Sequence, residues 1–145
     1  MTPEDPEVVV VRRRIAAPPE VLFDAWTDPE GMRNWMCPGS IVSAEVELDP
    51  RPGGRLRVVM RDAEKSYEHL GEFLAVERPR KLVFSWSAAA TLMRTTQVSV
   101  EFLPLGPDLT EVVVTHTSLP SREVRDRYQG GWAGILEKLA LHVRA

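Results

Sequence analysis

Proline sets the frame of this chain. Twelve prolines are spread over 145 residues, and they fall between periodic segments and almost never inside one. Proline has no N–H for a strand ladder, and its ring clashes with the preceding turn of a helix. Its positions therefore mark where elements end.

Between the prolines the periodicity is readable. Val8 to Ile15 reads as a strand. Pro18 and Pro19 preset φ for a helix to about Trp26, with Leu22, Ala25 and Trp26 on one face. Asp28-Pro29-Glu30 opens a second short helix, with a carboxylate cap and an acid at its positive end. That helix carries Met32, Trp35 and Met36 inward. A meander follows: Ile41 to Leu48, then Arg55 to Arg61 with Leu56, Val58 and Met60 on one face, then Ser66 to Val76. Leu82, Phe84 and Trp86 alternate with Val83 and Ser85, and Arg94 to Leu103 alternates around Val98, Val100 and Phe102. Pro104 to Asp108 turns the chain into Leu109–Thr117. Pro120-Ser121 opens the longest helix, to about Val143, with Val124, Tyr128, Ile135, Leu136, Leu139 and Val143 as one apolar stripe. The expected class is α+β, because a sheet with one apolar face needs a cover and only the last helix is large enough.

Bulk properties narrow the function classes. The length suits one domain over residues 1–145, with 1–7 a flexible lead. A net charge of −3 gives no general attraction to nucleic acid or an anionic membrane. No run reaches the ~18 apolar residues of a membrane span. Cys37 is the only cysteine, so no intrachain disulfide forms, which fits a reducing compartment. Met1 to Glu7 lacks an apolar signal core, and the cytoplasm is the expected location. A homodimer stays open.

These segments also carry a family resemblance. Ile15-Ala-Ala-Pro18, Val21-Leu-Phe-Asp-Ala-Trp-Thr-Asp-Pro29 and Trp35 resemble the opening of homologues of the activator of heat-shock-protein-90 ATPase. Pro52-Gly-Gly54, Gly71-Glu-Phe73, Arg80-Lys-Leu-Val-Phe-Ser-Trp86 and Gly130-Gly-Trp-Ala-Gly-Ile-Leu136 continue the pattern in order, over about residues 8 to 143. The resemblance implies the START-like (SRPBCC) helix-grip fold. In it a curved antiparallel sheet of about seven strands wraps a long C-terminal helix, with two short helices after the first strand. It also implies a cavity between sheet and helix. The superfamily includes birch-pollen-allergen-like lipid carriers, aromatic polyketide cyclases, enediyne self-resistance proteins and many bacterial proteins. The eukaryotic chaperone activators carry an additional N-terminal domain that this chain lacks, which argues against chaperone stimulation.

Strand parity converts the implied cavity into residues, since successive side chains point to opposite faces. The inward face includes Leu56, Val58, Met60, Leu82, Phe84, Trp86, Val98, Val100, Phe102, Val112 and Val114. Trp35 joins from the second short helix, and Trp132, Ile135, Leu136 and Leu139 close the space from the last one. Without the resemblance the same stripes describe a filled core. Some polar groups share the inward parity: Tyr67 and His69, His116, Arg13 and Arg94. Each must be paired, wet or ligand-bound, because burying a neutral polar group unpaired costs roughly 2–7 kcal/mol. The ordinary alternatives are a histidine bonded to a carbonyl, Arg13 beside an acid, and Arg94 reaching water at the rim.

Three roles follow from this reading. The leading one is capture of a small hydrophobic or aromatic molecule, with no cofactor. The second is a cyclase- or dehydratase-like enzyme using Tyr67, His69 and His116, since imidazole exchanges protons near neutral pH. The third is a protein-interaction or stress-response module. No G-x-S-x-G, H-E-x-x-H or Walker pattern is present, and three histidines and one cysteine lack metal-ligand spacing. Cys37 in Cys-Pro-Gly-Ser40 has no base nearby in sequence and reads as a passive thiol, with a nucleophile at the pocket mouth as the alternative. In a strand, Arg12-Arg-Arg14 splits between faces and makes no nucleic-acid patch.

Overall fold

A computed structural model describes residues 7–144. Most of the lead at 1–7 lies outside the described residues. The elements run β1 (Val9–Ile15), α1 (Pro19–Ala25), α2 (Pro29–Trp35), β2 (Ser43–Leu48), β3 (Arg55–Arg61), β4 (Ser66–Glu77), β5 (Lys81–Ala88), a 3-10 turn (Ala89–Thr91), β6 (Thr96–Gly106), β7 (Leu109–Thr117) and α3 (Arg122–Arg144). The strands form one antiparallel sheet in the order β1-β7-β6-β5-β4-β3-β2. The sheet curls into a half-barrel around α3, as the residue pattern and the resemblance both led one to expect.

Local chemistry explains the boundaries. Pro19 and Pro29 occupy the first helical positions of α1 and α2, and Asp28 caps α2 by accepting from the Glu30 N–H at 3.1 Å. Ser121 accepts from the Val124 N–H at 3.2 Å and starts α3. In the β2–β3 turn Gly53 takes φ +85°, which other residues resist. At Gly71 an added Cβ would sit 1.9 Å from the Ser85 carbonyl, so the close approach of β4 to β5 there requires glycine.

Three boundaries differ from the sequence reading by two residues or more. The strand expected from Arg94 begins at Thr96, because Leu92 and Met93 take left-handed φ of 55° and 62° after the 3-10 turn. Its far end passes through Pro104 to Gly106, where a register irregularity accommodates a residue without an N–H. The strand expected from Ile41 begins at Ser43.

The core lies between the concave face of the sheet and α3. Trp26, Trp35, Trp86 and Trp132 are all at most 2% exposed. Burying a large apolar side chain contributes roughly 1.5–3 kcal/mol, so these four outweigh any surface ion pair. The convex face carries cross-strand pairs such as Arg57–Glu68 and Arg61–Glu45, and Arg12 pairs with Glu111.

Candidate functional site

Where α1 and α2 pack, the interior is filled by rings. Trp26 meets Trp35 edge-on with centroids 4.9 Å apart, and Phe23 meets Phe102 at 5.6 Å. At the other end, under the first turns of α3, a chamber of about 140 Å³ opens. Its lining is Pro38, Met60, His69, Trp86, Ala90, Arg127, Tyr128, Gly131, Trp132 and Ile135. An outer chamber of about 240 Å³ shares Pro38, Met60, His69, Ala90 and Arg127, and adds Asp62, Tyr67 and Glu68 at the mouth.

Each wall has a reason for its position. β5 directs Trp86 inward, where it lies 4.8 Å from His69 at 30° and 5.8 Å from Trp132. The Trp86 indole N–H donates to Tyr128 Oη at 3.2 Å, which fixes Tyr128 on α3 as part of the roof. The rim is held by Thr91, whose hydroxyl accepts from the Ala88 N–H at 3.1 Å and lies 2.9 Å from the Arg94 carbonyl. On the α2 side, Lys138 Nζ donates to the Cys37 carbonyl, and Pro38 stands 4.0 Å from where a Cβ on Gly134 would lie.

Two buried histidines face this interior with different chemistry. At His116, the Trp132 indole N–H donates to Nδ1 at 3.0 Å, and Nε2 lies 2.7 Å from Thr96 Oγ1. An indole nitrogen only donates, so Nδ1 is the acceptor and the neutral ring carries its proton on Nε2. Thr96 passes the chain on to the Trp86 carbonyl at 2.6 Å. Every polar atom of that chain is satisfied, and burial lowers the His116 pKa to about 3. His69 donates from Nδ1 to the Val58 carbonyl at 3.1 Å, which leaves Nε2 as an acceptor on a ring lining the chamber. Burial lowers its pKa, against the Val58 and Tyr67 carbonyls, which raise it. Burial pushes the Tyr128 hydroxyl up, against the Trp86 N–H and Arg127, so it stands as a neutral donor.

The residues expected to line a pocket separate into groups. Met60, His69, Trp86 and Trp132 meet at the inner chamber. Trp35, Phe84, Val98, Val100, Val114 and Leu136 pack in the buried core, outside that lining, because neighbouring side chains fill the space in front of them. His116 is also fully buried but bonded at both nitrogens. Tyr67 does share a face with His69, yet at the start of β4 it reaches the rim, is 39% exposed and donates to Asp62 Oδ2 at 2.7 Å. Arg94 is not an inward strand residue. It precedes β6, is half exposed, and reaches the Ser118 carbonyl at 3.4 Å and Glu7 at 3.8 Å. Arg13 is exposed despite its parity, because β1 is a sheet edge from which a long side chain reaches water. Cys37 is buried, its Sγ–H donates to the Arg33 carbonyl at 3.4 Å, and burial pushes the thiol up, against Lys138.

Sequence reasoning missed Tyr128, Arg127, Gly131, Pro38 and Ala90 as chamber residues. The available signal was Gly130-Gly131 inside a long helix, where each glycine costs about 1 kcal/mol relative to alanine.

Larger depressions lie elsewhere, one of about 520 Å³ among Glu47, Asp49, Arg55, Arg57 and Glu72, the other of about 850 Å³ beside Pro18, Pro19, Pro79, Pro104 and Pro107. These are surface grooves between charged or proline-bearing segments. The smaller chamber is the one walled by buried rings, and it is the candidate ligand site. Among the described residues no group of three or more His, Cys, Asp or Glu is arranged to hold a metal ion. Nor is any helix among the described residues long and apolar enough to cross a membrane.

A curled seven-stranded sheet gripping a long C-terminal helix, with two short helices after the first strand, defines a START-like helix-grip protein. The chain belongs to the family described as activator of Hsp90 ATPase homolog 1-like protein, whose profile matches residues 16–144. Solved structures agree. A protein from Chromobacterium violaceum superposes with a TM-score of 0.87 at 20% identity, covering 97% of this chain and 99% of that one. A protein from Rhodobacter sphaeroides gives 0.79 at 25% identity, covering 98% and 93%. An HSP90 activator from Plasmodium falciparum gives 0.74 at 25% identity, covering 94% and 96%. Among curated proteins none matches the sequence significantly.

Proposed function

We propose that this protein reversibly binds a small aromatic molecule in the chamber beneath α3. The observation that carries the reading is the chamber itself: about 140 Å³ walled by His69, Trp86, Tyr128 and Trp132. An apolar cavity of ~150 Å³ takes benzene, so the inner space suits one ring and a larger ligand would extend into the outer chamber. A long acyl chain matches this volume poorly. In this reading the whole chain acts as one domain in the cytoplasm and needs no cofactor. A proton-transfer role would rest on His69 alone, since His116 has both nitrogens engaged and Tyr67 donates to Asp62. The test is calorimetry and thermal shift with a panel of one- and two-ring aromatics. The expected result is saturable one-to-one binding with a rise in melting temperature that grows with ligand concentration. A panel-wide absence of binding contradicts the reading.

The likeness to the Plasmodium activator supports a second reading, regulation of a chaperone ATPase. Adding the protein to purified HSP90 tests it: stimulated ATP turnover supports this role, and unchanged turnover removes it.

A further inference from the structure

We infer that the chamber recognises a neutral phenol, whose hydroxyl donates to His69 Nε2 and accepts from Tyr128 Oη while its ring lies against Trp86 in the slot left by Gly131. This rests on the binding reading above and adds the ligand's chemistry and the residues that select it.

The two polar atoms are complementary. His69 has committed Nδ1–H to the Val58 carbonyl, so its other nitrogen can only accept. Tyr128 Oη accepts from Trp86, and among the described residues its own proton has no acceptor. Both side chains line the same chamber. One ligand oxygen that both donates and accepts satisfies the pair, and that oxygen is a hydroxyl. A ketone serves only Tyr128. A carboxylate would set its lone pairs against that of His69 and give up its hydration. Arg127 at the mouth does not reverse this, because Asp62 lines the same mouth and gives it both signs of charge. The flat walls of Trp86, Trp132 and His69 favour an aromatic ring over a branched alcohol.

Gly131 supplies the room. A Cβ added there meets nothing within 4 Å, so packing in the protein does not require glycine at this position. Alanine would favour the helix. What the missing methyl leaves open is the chamber that Gly131 lines. Gly130 is the internal control: a Cβ there also meets nothing within 4 Å, but the residue does not line the chamber.

The experiment is calorimetric titration with p-cresol, p-xylene and p-toluate, on the wild type, Tyr128→Phe and Gly131→Ala. In the wild type p-cresol should bind about tenfold tighter than p-xylene, the worth of one to two net hydrogen bonds, with p-toluate weakest. Tyr128→Phe should cut that preference to about threefold, since it removes one of the two bonds and leaves the one to His69. Gly131→Ala should raise the melting temperature and weaken both neutral ligands. The proposal is overturned if p-xylene equals p-cresol, if p-toluate binds best, or if Tyr128→Phe keeps the full phenol preference. Were Tyr128→Phe to unfold, the wild-type ratio and Gly131→Ala still decide it. If none of the three probes binds, the binding reading itself fails with it.

Discussion

His116 and His69 stand on the concave face of one sheet, 0% and 6% exposed, and each touches a tryptophan of the core. Around His116 the polar atoms form a closed chain from Trp132 through Thr96 to the Trp86 carbonyl. Around His69 one nitrogen is committed, and the ring borders empty space. Burial and aromatic neighbours are common to both, so neither marks a binding site. What separates them is an open valence next to unfilled volume. His116 ties the sheet to α3, and His69 borders the chamber.

The largest effect should come from breaking the closed chain at His116. Trp132→Ala removes a fully buried ring and the donor to His116 Nδ1, and should cost about 3–5 kcal/mol in urea denaturation. Acidification should come next. The folded-state pKa of His116, about 3, lies below its ordinary value of 6.5, so the unfolded chain takes up the proton first as pH falls. The stability tied to the neutral ring is complete above that ordinary value and is lost as pH falls toward the folded one. The slope is at most about 1.4 kcal/mol per pH unit, so roughly 2 kcal/mol should disappear between pH 7 and pH 5. His69 adds to the loss in the same direction. Urea midpoints measured across this window should flatten in His116→Gln, and an unchanged slope would remove His116 as the cause.

Smaller effects sharpen the contrast at the chamber. Tyr128→Phe leaves the buried Trp86 N–H without its acceptor and should cost about 1–3 kcal/mol. Gly130→Ala and Gly131→Ala should each stabilise α3 by about 0.5–1 kcal/mol, read as a higher melting temperature. Only Gly131→Ala should also weaken ligand binding, because only Gly131 lines the chamber. Equal binding loss in both variants would mean that helix rigidity, and not space, sets affinity.

Much of the fold was legible because local rules agreed with one another. Pro18-Pro19, Asp28-Pro29 and Pro120-Ser121 open helices at or near the residues the capping rules require, and Leu109–Thr117 was read with its exact bounds. The errors fell where tertiary structure overrode local preference. Leu92 and Met93 take a left-handed backbone that bulky residues avoid, and Pro104 sits within a ladder at an irregularity. The site was less legible. Parity placed Met60, His69 and Trp86 on the right face, but it could not say which inward residues meet empty volume and which meet Trp26 and Trp35. Tyr128 read as one more member of an apolar stripe, since its bond to Trp86 joins elements 42 residues apart. Tyr67 had the right parity and the wrong depth, because a strand end reaches the rim.

The most direct test follows the indole N–H signals of the four tryptophans by NMR during titration with p-cresol. The account predicts saturable shifts at Trp86, which lines the chamber, and none at Trp35, which lies in the filled end. Shifts spread evenly over all four, or no saturable shift at Trp86, would contradict it.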